Sequence, residues 1–363
     1  MSLKIGIVGL PNVGKSTLFN TLLKKKVADV ANYPFCTIEP NVGVIEVPDE
    51  RLPILAKIVE TQTIIPAAIE FYDIAGLVAG ASQGEGLGNK FLSHIREVDA
   101  IVHVVRLFED NQIIHVSDKH DPTSDIAIID TELTLADVEV VSRQKTPKGA
   151  LTKDEKVFVA TLEKLQKHLN DGKPARLLSL NDGELQSIKY LNLLTLKPVI
   201  YVFNLSESQL EQYSETESAI KTILEKSSSS ADFIALSAKL ETDLLELPET
   251  ERQEYLSQYH LADSGLNRLI TQSYATLGLI SYLTGGVKEV RAWTIKKGTL
   301  APQAAGVIHG DFEKHFIRAE IVPYSTFVEV GGWTPARDKG VAKIAGRDYV
   351  MQDGDVVDFK IGV

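Results

Sequence analysis

GLPNVGKST, residues 9–17, lies directly after the apolar run Leu3–Val8 and runs into Lys15–Lys25, whose spacing predicts a helix. Gly9, Gly14, Lys15 and Ser16 complete the pattern G-x-x-x-x-G-K-[ST], and strand–loop–helix is the context in which that pattern has meaning. Average residue usage gives such a match by chance in about 1% of chains of this length. Each residue type has a task. The glycines let backbone N–H groups curl around phosphate oxygens, and the helix N-terminus adds positive dipole. Lys15 reaches the terminal phosphates and the Ser16 hydroxyl ligates Mg²⁺, with Asn12, Val13 and Thr17 completing the nucleotide-binding loop.

Working outward, Ala68–Tyr72 is a second apolar run, ending at Asp73, and Ala100–Val105 is a third. Such alternation predicts an α/β fold, a parallel-type sheet covered by helices on both faces. It resumes at Pro198–Phe203, which ends at Asn204, and at Phe233–Leu236, which ends at Ser237. Between these stretches Phe158, Leu162, Leu165 and Leu169 form one stripe of an amphipathic helix. Pro147 and Gly149 separate that stripe from apolar Leu133–Val141, so the spacing predicts a helical hairpin inserted into the sheet domain. Beyond about residue 280 come the short β-rich runs Val290–Ile295, Phe316–Val322, Thr326–Val330 and Val356–Ile361. The expected division is a nucleotide-binding domain at 1–130 and 197–280, a helical arm at 131–196, and a small α+β domain at 281–363.

Asp73 opens DIAGL, residues 73–77, at a strand end. A carboxylate there holds a Mg²⁺-bound water, and Gly76 lets a backbone N–H approach the γ-phosphate. Thr37, between the two motifs, can close over the metal from a loop. The expected Mg²⁺ ligands are therefore Ser16, Thr37 and Asp73, and the expected catalytic groups are Lys15, Thr37 and Gly76.

NYPFCTIEPNVG at 32–43, DIAGLVAGASQGEGLGNKFL at 73–92, and the P-loop with Pro11 and Asn12 together resemble the Obg group of GTPases. VKEVRAWTIKKGTLAPQAAGVIHGDFEKHFIRAE at 287–320 and DYVMQDGDVVDFK at 348–360 resemble its YchF, or Obg-like ATPase, subfamily. The resemblance covers nearly the whole chain. It implies a P-loop domain with an inserted arm, a C-terminal TGS domain of the β-grasp type, a preference for ATP over GTP, and association with the ribosome through its RNA or protein.

Guanine-specific relatives carry N-K-x-D after a late strand. Here that place holds NLSE, Asn204 to Glu207, so Leu205 replaces the lysine and the carboxylate sits on a longer stem. Ser237, Ala238 and Lys239 follow in the order expected of a base-binding loop. Hydrogen-bond discrimination demands tight geometry, because an unpaired buried polar group costs ~1–3 kcal/mol. The departure weakens guanine selection and agrees with ATP without proving it. Leu77 stands where many relatives place a water-orienting Gln, and an aliphatic side chain cannot do that work. Asn12 is one compensating candidate, since the corresponding Asn helps hold K⁺ in potassium-stimulated relatives; the alternative is an Asn that suits a tight turn. His115 is another candidate, to position water, against its reading as a surface loop residue.

The composition fits this picture. The 363 residues are 44% hydrophobic and 24% charged, as in ordinary globular protein. No stretch nears the ~18 apolar residues of a spanning helix, so no membrane partner is expected. The one cysteine, Cys36, excludes an intrachain disulfide and suits the cytoplasm, and no Cys/His cluster has zinc spacing. The net charge of −11 argues against a polyanion partner only until it is divided. Residues 131–196 and 281–363 each carry +1, and the nucleotide-binding remainder carries −13. Lys288, Arg291, Lys296 and Lys297 form a small basic group in the C-terminal part. The expectation is a cytoplasmic, monomeric ATPase switch, with an Obg-like GTPase and a nucleotide-gated binding protein as alternatives.

Overall fold

A computed structural model describes residues 3–25, 41–74, 87–108, 121–145, 149–227 and 231–362. Cys36, Thr37, Gly76, Leu77, His115 and Pro147 lie outside the described residues. The first half runs β1 (Lys4–Val8), α1 (Lys15–Lys25), β2 (Val42–Glu46), α2 (Arg51–Ile58), β3 (Ile64–Ile65), β4 (Ala68–Asp73), α3 (Leu87–Glu97) and β5 (Ala100–Arg106). Ile5, Ile7, Val8, Val102, Val104 and Val105 are almost fully buried, the mark of strands covered on both faces.

The arm begins in α4 (Pro122–Ser142), capped by the Asp121 side chain accepting from Thr123 N–H, and returns in α5 (Lys153–Asn170) behind a Thr152–Glu155 capping box. α4 runs unbroken through residue 130. Its Ile126, Ile129 and Leu133 belong to the main core, whereas Val141 joins a separate core with Leu162, Leu165 and Leu169. α6 (Asp182–Ile188) closes that second core, and Phe158 at the stripe's end meets the Tyr190 ring at 5.9 Å. At the root, buried Asp137 accepts from Leu194 N–H, Thr195 N–H and Thr195 Oγ1 at 2.6–2.8 Å. Burial pushes its carboxyl pKa up against those bonds.

The sheet resumes with β6 (Val199–Asn204), followed by α7 (Glu207–Glu211), α8 (Tyr213–Lys226), β7 (Phe233–Leu236), α9 (Ala238–Glu246), α10 (Glu249–Gln258) and α11 (Gly265–Thr276). The order across it is β2-β4-β1-β5-β6-β7. All neighbours are parallel except β2, which pairs antiparallel with β4 from Val42↔Tyr72 to Glu46↔Ala68. The expected parallel sheet thus has one reversed edge strand. The C-terminal ends of β1, β4, β5 and β6 converge on one rim, where open α/β sheets bind ligands.

The C-terminal unit comprises β8 (Leu279–Gly285), β9 (Val290–Lys296), α12 (Ala301–Ile308), α13 (Gly310–Lys314), β10 (Phe316–Pro323), α14 (Tyr324–Val330), α15 (Trp333–Asp338), β11 (Lys343–Ala345) and β12 (Asp355–Ile361). Its sheet has the order β11-β10-β12-β8-β9-β3, so β3 from the first half supplies the last strand. Tyr282, Ile295, Ala301, Ala304 and Ala305 form its core, and Tyr282 donates through its hydroxyl to the Ala304 carbonyl.

Two expectations are corrected here. Thr326–Val330 is helix α14, not a strand: Pro323 fixes φ at its entry, Phe327 alone is fully buried, and Gly331 at φ 85° ends it. The basic group is also divided. Lys288 precedes β9, whereas Lys296 ends it and Lys297 follows, at opposite ends of a strand ~23 Å long, while the Arg291 guanidinium covers the Trp293 ring at 4.1 Å.

Candidate functional site

The loop between β1 and α1 has little room for side chains. A Cβ on Gly9 would fall 2.7 Å from the Val104 carbonyl oxygen. Gly14 has φ 94°, and its Cβ would lie 2.2 Å from Asn204 Nδ2. Both glycines are therefore required by close approach, and Asn12, at φ 64°, takes the left-handed conformation that asparagine tolerates. Lys15 opens α1 and is nearly buried, while Ser16 and Thr17 are exposed. The Lys15 ammonium donates to Asp73 Oδ1 at 2.6 Å. Asp73 is the last residue of β4, and its backbone N–H donates to the Asn41 carbonyl at 3.0 Å.

Asn204 joins three segments. Its Nδ2 donates to the Val13 carbonyl, and its Oδ1 accepts from Ala238 N–H, both at 3.0 Å. The P-loop is thereby tied to the ends of β6 and β7. Leu205 is buried and its N–H bonds the Leu236 carbonyl. Ser206 caps α7, which sets Glu207 on the helix's first turn, where its carboxylate meets Lys239 Nζ at 3.2 Å. That hydrogen bond raises the Lys239 pKa. Ser237 caps α9 through its hydroxyl, which aims the Ala238–Lys239 backbone at the same space.

These groups surround one cavity of about 820 Å³. Asn12, Gly14, Lys15, Ser16, Thr17, Asn204, Leu205, Glu207, Ser237, Ala238 and Lys239 all line it. Val13 lies buried behind the wall, and Asp73 reaches the site through Lys15. Phe108 also lines the cavity, with the Arg106 guanidinium 4.5 Å over its ring. Sequence reasoning passed it by, although an aromatic just past a central strand's carboxyl end is where a planar ligand meets the rim. Ser16 and Asp73 offer hard oxygen donors, which suit Mg²⁺. Among the described residues no three His, Cys, Asp or Glu gather as a metal cluster, and no helix is long and apolar enough to cross a membrane. His94 lies on α3 and His103 on β5, where burial lowers the His103 pKa to about 4.

Residues 4–147 match a family model described as 50S ribosome-binding GTPase, and residues 279–362 match the YchF-GTPase C-terminal model, described as a protein of unknown function. The ribosome-binding ATPase YchF of Bacillus subtilis is 49% identical over 100% of both chains, and that of Escherichia coli O157:H7 is 48% identical over the same share. The solved structure of the Schizosaccharomyces pombe YchF GTPase superposes with a TM-score of 0.88 at 41% identity, covering 99% of this chain and 98% of that one. Those names disagree over the base. With full-length identity near one half and a matching fold, the chain belongs to the YchF family.

Proposed function

We propose that the protein is a Mg²⁺-dependent P-loop ATPase that hydrolyses ATP slowly to ADP and phosphate and acts as a nucleotide-dependent switch on the ribosome. The observation that carries this reading is the cavity walled by the P-loop, Asn204 and the Ser237–Lys239 turn, with Lys15 poised on Asp73. Its size falls in the range of small-molecule sites, roughly 300–1,000 Å³. The relatives' names, ribosome-binding ATPase, support the ribosome as partner.

In this reading the P-loop N–H groups and Lys15 take the phosphates, Lys15 leaving Asp73 for the more highly charged anion. Ser16, Thr37 and Asp73 would hold Mg²⁺, and Asn12 would contribute to a K⁺ site. Mg²⁺, when bound, draws charge from the β- and γ-phosphate oxygens. Gly76 offers its N–H to the γ-phosphate. Lys15 holds the transferring phosphoryl group in line as water attacks phosphorus and the bond to the ADP oxygen breaks. Leu77 cannot orient that water, so unstimulated turnover is slow. Buried Leu205 and the Glu207–Lys239 pair replace the guanine-reading lysine and aspartate, which weakens guanine selection and agrees with ATP.

The proposed division of labour assigns nucleotide chemistry to 1–130 with 197–280 and partner contact to the arm at 131–196 and the TGS-type unit at 281–363. The first boundary falls within α4. The protein acts as a cytoplasmic monomer. Single-turnover hydrolysis with and without ribosomes and KCl tests the reading. ATP cleavage above that of Lys15→Ala supports it. Faster GTP cleavage would favour an Obg-like GTPase, and no cleavage above the variant would leave a nucleotide-gated binding protein.

A further inference from the structure

The chain between β2 and β4 belongs to two sheets. At its neck, Val47 N–H donates to the Ala67 carbonyl at 2.8 Å, which ends the β2–β4 ladder. Beyond the neck the backbone hydrogen bonds turn to the C-terminal sheet. β3 pairs with β9 through Ile64↔Val290 and Ile65↔Arg291, and Val290 N–H donates to the Thr63 carbonyl at 2.9 Å. α2, on the same excursion, packs on β9 and α14. At the other end of the ladder stands the phosphate site, because Asn41, just before β2, accepts from Asp73 N–H while the Asp73 carboxylate holds Lys15.

Arg51 ties the excursion to the C-terminal unit. Its Nε and Nη2 grip the two oxygens of Asp49 at 2.8 Å, and its Nη1 donates to Asp353 Oδ2 at 2.8 Å. Asp353 in turn accepts through Oδ1 from Ser281 N–H, and the adjacent Gly354 N–H donates to the Ser281 carbonyl, both at 2.8 Å. A planar guanidinium with one carboxylate on its Nε side and another at Nη1 fixes orientation as well as distance. Asp49 follows β2 by three residues, and Asp353 sits two residues before β12 and is bonded to β8 through Ser281.

We propose that the antiparallel β2–β4 ribbon is a lever that reports the occupancy of the phosphate site to the C-terminal sheet, with Arg51 as its coupling pin. When Lys15 leaves Asp73 for phosphate, the tie at the tip of β4 changes. The five residue pairs carry the shift to Asp49–Arg51 and to β3, which the C-terminal sheet must follow. The proposal rests on the nucleotide-binding reading above and adds its direction of output. By reciprocity, a partner whose affinity for the C-terminal unit changes with nucleotide alters nucleotide affinity by the same factor.

Hydrogen exchange on the full-length chain, with and without a non-hydrolysable ATP analogue and Mg²⁺, tests it, with nucleotide affinity measured on the same samples. In the unaltered protein the analogue should change exchange in peptides spanning 279–296 and 350–358 by about fivefold or more, the lower end of ordinary coupling. Arg51→Ala and Asp353→Asn should abolish that difference while still binding the analogue at the P-loop. Arg51→Lys, which keeps the charge without the fork, should restore it only in part. A purely structural Arg51 would raise exchange equally in both states and leave the difference intact, which would overturn the proposal. So would unchanged C-terminal exchange in protein that binds the analogue. Failure of the unaltered protein to bind the analogue at all would instead overturn the nucleotide reading and the lever with it.

Discussion

The Lys15 ammonium lies 2.6 Å from the Asp73 carboxylate, so each of the two groups expected at the phosphate site serves as the other's partner. Both flank the rim at which the sheet's strands end, and the pair sets opposite expectations for its two members.

Removing the cation should weaken nucleotide binding. A hydrogen bond to a charged group contributes ~1.5–3 kcal/mol, so Lys15→Ala should lower ATP affinity roughly 10- to 150-fold. Asp73→Asn frees Lys15 and deletes a negative charge facing the phosphates. Affinity measured in EDTA should therefore rise in Asp73→Asn, while the enhancement produced by added Mg²⁺ should shrink. Calorimetric titration of both variants with and without Mg²⁺ checks this, and equal losses in the two would contradict it.

Base choice rests on Leu205 and Glu207. Leu205 lines the cavity with its N–H fixed to Leu236, so a lysine at this position starts from the cavity wall, and Glu207→Asp shortens the stem that now reaches Lys239. The double change Leu205→Lys with Glu207→Asp should move the ATP-to-GTP affinity ratio toward GTP by about tenfold, the scale of one well-made polar contact. In the unaltered protein ATP should bind more tightly. GTP binding at least as tightly would remove the argument from NLSE.

The cation test turns on Asn12. Its φ of 64° means that an alanine there would strain the loop whatever the amide does, so Asn12→Gly is the informative change. Hydrolysis should be faster in KCl than in NaCl for the unaltered protein, and the two salts should give equal rates for Asn12→Gly. Equal rates before the substitution would reduce Asn12 to a turn residue.

The sheet domain was readable because its strands are continuous apolar runs that end on one rim, two of them directly before Asn204 and Ser237, which line the site. β1, β4, β5, β6 and β7 all fall where Leu3–Val8, Ala68–Tyr72, Ala100–Val105, Pro198–Phe203 and Phe233–Leu236 predict them. The P-loop glycines were readable for the same reason that they are required, namely that no Cβ fits. Three features were not readable. β3 is two residues long and gains its identity only from β9, which lies some 225 residues away in the chain, a long-range pairing that no local pattern encodes. Thr326–Val330 has strand-forming residues but takes its helix from Pro323 and Gly331 at its ends. Phe108 carries no motif and acquires significance only when β5 ends beside the cavity.

The remaining prediction concerns acid stability. His103 is buried on β5 beside Tyr201, at 5.4 Å between ring centroids, and its Nε2 has no hydrogen-bond partner among the described residues. Burial lowers its pKa to about 4, with Asp130 and Arg176 acting in opposite directions. In the unfolded chain the imidazole titrates near its ordinary ~6.5, so as pH falls the unfolded state takes up the proton first. The native state therefore begins to lose stability as pH drops below about 6.5, and the loss levels off below about 4. At pH 5 it should reach about 2 kcal/mol relative to pH 8. Asp137, Glu241 and Asp355, whose pKa values burial raises, act with the opposite sign and partly mask it. The clean measurement is consequently a difference: urea unfolding of the unaltered protein and of His103→Phe at pH 8 and pH 5. The variant should lose about 2 kcal/mol less on acidification, whereas parallel losses would mean that His103 is protonated in the folded protein at pH 5.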